Sequence, residues 1–297
     1  VKKLKAILAV VVLGLLALLP LSAAQRLGRW LGARIWRKKQ GKVYGNTVRN
    51  IERCFPQLSA EEQLLMAERS LLQTGCSFAE MGMSWLWPVK RSISKIRSVN
   101  GESVLAEALE KGKGVILIAP HLGNWEMLNL YVSNRYTLTA MYKPPKMKLL
   151  DDLIKKMRAR LGSQMAPADA SGVRMVMKAL KRGEIVGILP DQEPDDLKGT
   201  VFAPFFGVEA ATMKLLPQLA KQTGAAVVCG FAERAENGAG FDIHFIAGEE
   251  AIGDKDLSVG AAAMNRSVEA CVQMAPEQYQ WEYRRFNTRP EGEERFY

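Results

Sequence analysis

The sequence predicts an α/β protein. A mostly parallel central sheet is flanked by helices and preceded by an N-terminal membrane-anchor helix and a helical, membrane-proximal segment. Three observations carry this reading. Two β-type runs, VILIA at 115–119 and IVGIL at 185–189, are continuously apolar, as strands covered on both faces are. Stretches of helical period alternate with these and other β-type runs, the signature of a parallel sheet with crossover helices. Residues 6–21 contain no polar side chain.

The apolar start is expected to be an anchor over residues 1–24. As one helix, residues 4–24 reach about 30 Å at about 1.5 Å per residue, the thickness of a bilayer core. Pro20 kinks or ends that helix. A cleaved signal peptide, cut before Gln25 after the small residues Ser22 and Ala24, is one rival reading, and a merely interfacial helix is another. The flanking charge opposes export. Lys2, Lys3 and Lys5 precede the run, whereas Arg26, Arg29, Arg34, Arg37, Lys38, Lys39 and Lys42 follow it. The positive-inside rule then holds the C-terminal side in the cytoplasm.

Residues 25–297 are expected to form one domain, helical and membrane-proximal over 25–95 and α/β over 96–297. In 25–42, Leu27, Trp30, Leu31 and Ile35 lie among basic residues. That pattern fits a helix lying on anionic lipid or a surface helix packed on the protein. A short helix follows and ends at Phe55-Pro56. Ser59 with Glu62 forms a capping box, opening an apolar helix that runs to about residue 86.

Within the α/β part the pattern predicts helices over 124–133, 148–160, 172–181, 210–223 and 258–274. Further strands are predicted over 136–142, 226–233 and 241–247, and a loop of about twenty residues after 189.

With 297 residues the chain can bury a sizeable core, and its net charge of +10 calls for an anionic partner. Nucleic acid is a poor fit, because no recognition motif or basic–aromatic platform is present. Cys54, Cys76, Cys229 and Cys271 are too scattered for a metal or redox motif, and are read as reduced thiols. His244 sits mid-strand with no supporting ligand set, so neither a metal nor another cofactor is expected.

The chemistry concentrates in HLGNWE, residues 121–126. His121 follows a strand, where α/β sheets build their sites. Gly123 permits a turn and Asn124 can cap the next helix, so Glu126 falls in its first turn and can approach His121. A carboxylate on one imidazole nitrogen fixes the tautomer, and the other nitrogen can take a proton from a nucleophile. No Ser or Cys lies nearby in sequence, so a substrate hydroxyl is the expected nucleophile. The bland alternative is a histidine satisfying buried backbone groups and a glutamate at a helix N-terminus.

HLGNWE resembles the H-x4-E block of the glycerolipid acyltransferases. VRNIERCFPQLSAEE, MYKPPKMKLLDDLIKKMRARLG at 141–162, ILPDQEPDDLKGTVFAPFFGVEAAT at 188–212 and MAPEQYQWEYRRFNTRPEG at 274–292 narrow the likeness. Together they resemble the late acyltransferases of lipid A biosynthesis, the Kdo-lipid IVA lauroyl and myristoyl transferases. The likeness covers nearly the whole chain.

The resemblance implies an inner-membrane O-acyltransferase facing the cytoplasm. Its acyl donor would be a thioester on acyl carrier protein, and its acceptor a hydroxyacyl hydroxyl of a phosphorylated glycolipid. Anionic membrane lipids are a further expected partner. The resemblance makes His121 the base, Glu126 its partner, and Arg158 a residue of catalysis or acceptor phosphate binding. Asn124, Lys143 and Asp191 are its expected substrate-binding positions. Lys143 stands where an arginine is frequent, and the acidic loop DQEPDDLKG departs from the more basic versions. For Arg158 the alternative is a solvated face shared with Lys155 and Lys156, and for Asp191 a cap. Arg284 and Arg285 either contact phosphates or anchor the C-terminal segment. The runner-up acceptor is another membrane glycolipid or glycerol phosphate, although the Glu-Gly-Thr-Arg block of glycerolipid relatives is not found.

Overall fold

The structure is a computed structural model that describes residues 2–144, 148–158, 160, 162–194 and 196–297. Five helices come first: α1 (Lys2–Leu18), α2 (Leu21–Lys38), α3 (Lys42–Cys54), α4 (Ala60–Leu86) and α5 (Val89–Ile93). The capping box opening α4 is formed, with Ser59 Oγ accepting from the Glu62 N–H and the Ser59 N–H donating to Glu62 Oε2.

The expected single anchor helix over 1–24 is not formed. Pro20 is extended (φ −62, ψ 153), and without an N–H it separates α1 from α2. The 17 residues of α1 reach only about 26 Å at about 1.5 Å per residue, and no helix of the described residues is long and apolar enough to cross a membrane. One face of α1 is spent on the protein: Ala6, Leu13 and Leu16 are buried, and the Ala17 carbonyl accepts from Trp87 Nε1 at 2.7 Å. The other face carries Leu4, Leu8, Val11, Leu15 and Leu18, each at least half exposed. Their four-and-three spacing is one stripe of a helix.

Of the two readings of 25–42, packing on the protein is realised, but through small residues. Ala24, Gly28 and Gly32 of α2 are buried against α4, while Trp30 is exposed. The helices meet backbone to backbone: a Cβ on Gly75 would lie 2.0 Å from the Gly28 carbonyl oxygen.

The sheet contains β1 (Ile96–Asn100), β2 (Val115–Ile118), β3 (Leu138–Tyr142), β4 (Gln164–Pro167), β5 (Ile185–Ile188), β8 (Ala226–Arg234) and β9 (Phe241–Ala247) in the order β1-β9-β8-β2-β5-β3-β4. Neighbours are parallel except for β8 and β9. Both faces are covered, which is why β2 and β5 have no polar alternation. Val115 and Leu117 pack with α6 (Glu102–Glu110) and α7 (Trp125–Arg135). Ile116 and Ile118 pack with α9 (Ala170–Lys181), α10 (Leu215–Thr223) and α11 (Leu257–Met274).

Six elements escape the sequence pattern: α5, β1, α6, β4 and the two strands of an antiparallel hairpin, β6 (Thr200–Phe205) and β7 (Val208–Met213). The hairpin occupies part of the expected loop and the start of the helix expected from 210. Its two-residue turn has positive φ at Phe206 (49) and Gly207 (74), the geometry that matches strand twist. Of the two readings for Arg285, the structure realises anchoring: its guanidinium donates to the Ala211 carbonyl at 2.7 Å and to Thr212 Oγ1 at 3.0 Å. All four cysteines are free and buried.

Candidate active site

β2 lies between β5 and β8. From β2 the chain passes over β5 to β3, and from β5 it returns past β2 to β8. The strand order therefore reverses at β2 and β5, and a crevice opens beyond their carboxyl ends. His121 follows β2 and Asp191 follows β5.

The turn at 121–124 is held from both sides. Gly123 has φ +60, and a Cβ there would lie 2.0 Å from the Ala232 carbonyl oxygen. Only glycine suits both the left-handed backbone and the close approach. The Asn124 N–H donates to Ala232 of β8 at 2.9 Å, the Gly123 N–H to Gln278 at 3.1 Å, and the Gln280 N–H to the His121 carbonyl at 3.1 Å. Asn124 Oδ1 caps α7 by accepting from the Met127 N–H at 3.1 Å.

Asp191 grips His121 twice. Its Oδ2 accepts from the His121 main-chain N–H at 2.8 Å, and its Oδ1 lies 2.9 Å from Nδ1. Asp191 is buried. Burial would raise its carboxyl, but the charge and hydrogen bonds of His121 outweigh that and hold it below the usual carboxylate value. Beneath it, the Tyr279 phenol is pushed well up, by its own burial and then by the Asp191 charge.

Glu126 does not partner His121. Its carboxylate is taken by Arg158 at the end of α8 (Lys148–Arg158), through Nε at 3.1 Å and a second contact from Nη2. The cap at Asn124 points Glu126 toward α8, whereas His121 remains in the turn facing β5. Arg158 is not on a solvated face. Burial opposes its charge, but Glu126 prevails and raises the guanidinium further.

Trp125 stands between the two pairs, its ring 5.1 Å from the imidazole. On the histidine side is a cavity of about 230 Å³, lined by Thr74, Phe78, Met81, His121, Gln280 and Glu282 among others. On the other side Glu126 and Arg158 border a narrow cleft with Leu117, Ala119, Leu138 and Gly187. Asn124 lines a third small cavity. Its amide nitrogen is committed to Glu80 at 3.0 Å and Ser84 at 3.1 Å. Lys143 is exposed just past β3. Asp195 of the acidic loop, Pro145 to Met147 of the second block, and Ala159 lie outside the described residues.

Sequence reasoning missed Glu282 and Glu80. Glu282 borders the cavity and accepts from Thr74 Oγ1 at 3.0 Å. Burial pushes its carboxyl up, against that bond and the charge of His121. Glu80 is fully buried and paired with Arg234. The signal was present: it is a lone charge in the apolar run SFAEMGMSWLW, which an α4 core face should not tolerate unpaired. Among the described residues no group of three or more His, Cys, Asp or Glu is arranged to hold a metal.

Comparison with known proteins narrows the reading. The profile of a family described as bacterial lipid A biosynthesis acyltransferase matches residues 2–288. The chain is 34% identical to the lipid A biosynthesis lauroyltransferase of Escherichia coli K12, over 95% of this chain and 90% of that protein. It is 35% identical to the lipid A biosynthesis palmitoleoyltransferase of the same strain, over 84% and 80%. A lipid A biosynthesis acyltransferase of Shigella flexneri gives the same values. With its sheet, its crevice and these likenesses over nearly its full length, the chain belongs to the lipid A biosynthesis acyltransferase family.

Proposed function

We propose that this acyltransferase moves a fatty acyl chain from the thioester of acyl carrier protein to a hydroxyacyl hydroxyl of a Kdo-lipid IVA type acceptor. One observation carries the assignment of roles: the Asp191–His121 pair on the wall of the 230 Å³ cavity. With Nδ1 engaged by Asp191, Nε2 is the nitrogen left to take the acceptor proton. Asp191 stabilises the imidazolium as the proton arrives. The freed oxygen attacks the thioester carbonyl and the thiolate leaves on the carrier. No covalent enzyme intermediate is required.

Arg158, fixed by Glu126, supplies a positive charge in the cleft on the other side of Trp125 from the base. Its role is to hold an anionic group, either the acceptor phosphate or the developing oxyanion. Glu126 thus acts on the reaction by orienting Arg158.

The acceptor is a membrane lipid, and α1 suits one leaflet of a bilayer. Its stripe from Leu4 to Leu18 is apolar and exposed, and α2 adds Arg26, Arg34, Arg37 and Lys38. An apolar face beside a basic one is the pattern of an interfacial helix on anionic lipid. With the α1 stripe in the lipid, the catalytic domain sits on the cytoplasmic face of the inner membrane, the side on which the basic residues after residue 25 belong.

The test incubates purified protein with acyl carrier protein loaded with C10 to C16 chains and with a Kdo-lipid IVA acceptor, and follows the product by mass spectrometry. One added acyl chain with the wild type, and only a small residual rate with His121→Ala, is the expected result. Full acylation by His121→Ala would sink the base assignment. No product from any donor would move the acceptor to another membrane glycolipid or to glycerol phosphate.

A further inference from the structure

Behind the turn that carries His121 lies a sealed ion pair. Glu80 of α4 is fully buried and Arg234 at the end of β8 is 4% exposed. Arg234 grips the carboxylate with two prongs, Nε to Oε1 at 2.6 Å and Nη2 to Oε2 at 2.8 Å. The same carboxylate accepts from Asn124 Nδ2 at 3.0 Å and from Gln25 Nε2 of α2 at 2.8 Å. Arg234 Nη2 also reaches Ser77 Oγ at 3.0 Å and the Gly123 carbonyl at 3.4 Å. Its Nη1 donates to Gln73 Oε1 at 3.0 Å. Burial opposes the guanidinium charge, and Glu80 outweighs it.

Two charges are expensive to desolvate, and an apolar pair of similar volume would pack as well. What an apolar pair could not do is hold Gly123 and Asn124. These two residues are the second and third after His121, so their position sets where the imidazole points. We infer that Glu80 and Arg234 are positioning residues, a rigid clamp on the 121–124 turn that aims His121 at the hydroxyl whose proton it takes. The inference rests on the reading of His121 as the base. Gln25 extends the clamp to α2, so four elements, α2, α4, α7 and β8, converge on one carboxylate.

Glu80→Gln keeps the shape and removes the charge. Arg234→Lys keeps the buried charge but cannot reproduce the two-pronged grip, so it provides a second, better-folding variant. Thermal unfolding of each confirms the fold before kinetics. With both, kcat is expected to fall about 10- to 100-fold, because small misplacement of a base is costly, while KM for acyl carrier protein changes less than about two-fold. In a His121→Ala background the same substitutions should leave the residual rate unchanged within about two-fold, since nothing remains to be aimed.

The chain has only two histidines, so ¹⁵N-histidine NMR gives a direct readout. His121 ring resonances should move in Glu80→Gln, and those of His244, bonded to Glu233 at 3.0 Å, should not. Unchanged kcat in both folded variants, with His121→Ala reduced to its residual rate, would overturn the inference alone. So would an equal loss in the His121→Ala background, or histidine spectra in which both residues move together. Full kcat in His121→Ala would overturn the base reading and this inference with it.

Discussion

The Asp191 carboxylate holds His121 by both its main-chain N–H, at 2.8 Å, and its ring, at 2.9 Å from Nδ1. One side chain thus fixes the imidazole's position and its tautomer together. Asp191→Asn presents an amide that offers only one acceptor and disturbs both. The expected loss in kcat is about 10³- to 10⁴-fold, as for other base-orienting carboxylates, with KM changed little. Steady-state kinetics check it, and a loss under about ten-fold would contradict the role.

The same pair makes stability depend on acidity in one direction. The Asp191 carboxyl is held below its ordinary value of 3.8. A carboxylate lowered by folding contributes stability that is present above its unfolded value and is lost as pH falls through the folded one. At pH 7 Asp191→Asn should therefore unfold at a lower temperature than the wild type. The gap should close below about pH 4. Melting curves from pH 3 to 7 test this, and a gap that widens in acid would contradict it.

Arg158 is held by a two-point contact that a lysine cannot copy. Arg158→Lys should fold normally and lose about 10- to 100-fold in kcat. Arg158→Ala also leaves Glu126 unpaired in a nearly closed site. Because the Arg158 side chain keeps 19% of its exposure, the stability cost should be about 2 kcal/mol, below that of a sealed pair. Arg158→Lys activity equal to wild type would show that the fork is not used.

The apolar stripe of α1 should matter for lipid and not for folding. Leu8 and Leu15 are 61% and 60% exposed, so Leu8→Asp with Leu15→Asp should shift the melting temperature by no more than about 1 °C. Withdrawing two leucines from an acyl layer forfeits about 1.5–3 kcal/mol each at full burial. Binding to phosphatidylglycerol-containing vesicles should weaken at least ten-fold in co-sedimentation. Unchanged binding would remove α1 from the membrane surface.

Gly75→Ala should separate α2 from α4, since its Cβ would lie 2.0 Å from the Gly28 carbonyl oxygen. Overpacking against backbone should cost about 3 kcal/mol, or roughly 6 °C in melting temperature. Gly45 in α3 is the contrast, because a Cβ there meets nothing within 4 Å. Gly45→Ala should stabilise by up to about 1 kcal/mol. Equal effects at the two sites would show that the α2–α4 seam is looser than drawn.

The site was legible where its determinants are local. A continuous apolar run announced β2 and β5, and the Gly123 turn and Asn124 cap placed His121 outside α7 and Glu126 inside it. The partners were not legible, because each comes from another element. Asp191 is 70 positions from His121 and adjoins it only because β5 pairs with β2. Arg158 meets Glu126 only because α8, packed on α1 and α4, brings its last residue to the first turn of α7. β1 reads IRSVN, an edge strand with a polar composition that mimics a loop. The hairpin at 200–213 depends on a turn with positive φ at Phe206, which phenylalanine does not advertise. Pro20 was read as a kink or an end, and the helix ends there, which divides residues 2–38 into α1 and α2.

The clamp on the turn has a consequence for ionic strength. Mobile ions screen charges that face water, with a Debye length of about 10 Å at 0.1 M, and reach sealed pairs far less. Arg26, Arg34 and Arg37 on α2 are exposed or partly so, whereas Glu80 and Arg234 are sealed. Raising salt should therefore lift the enzyme from an anionic surface while leaving the aim of His121 intact. The same protein would then work on detergent-dispersed acceptor in a medium where it no longer holds to a vesicle.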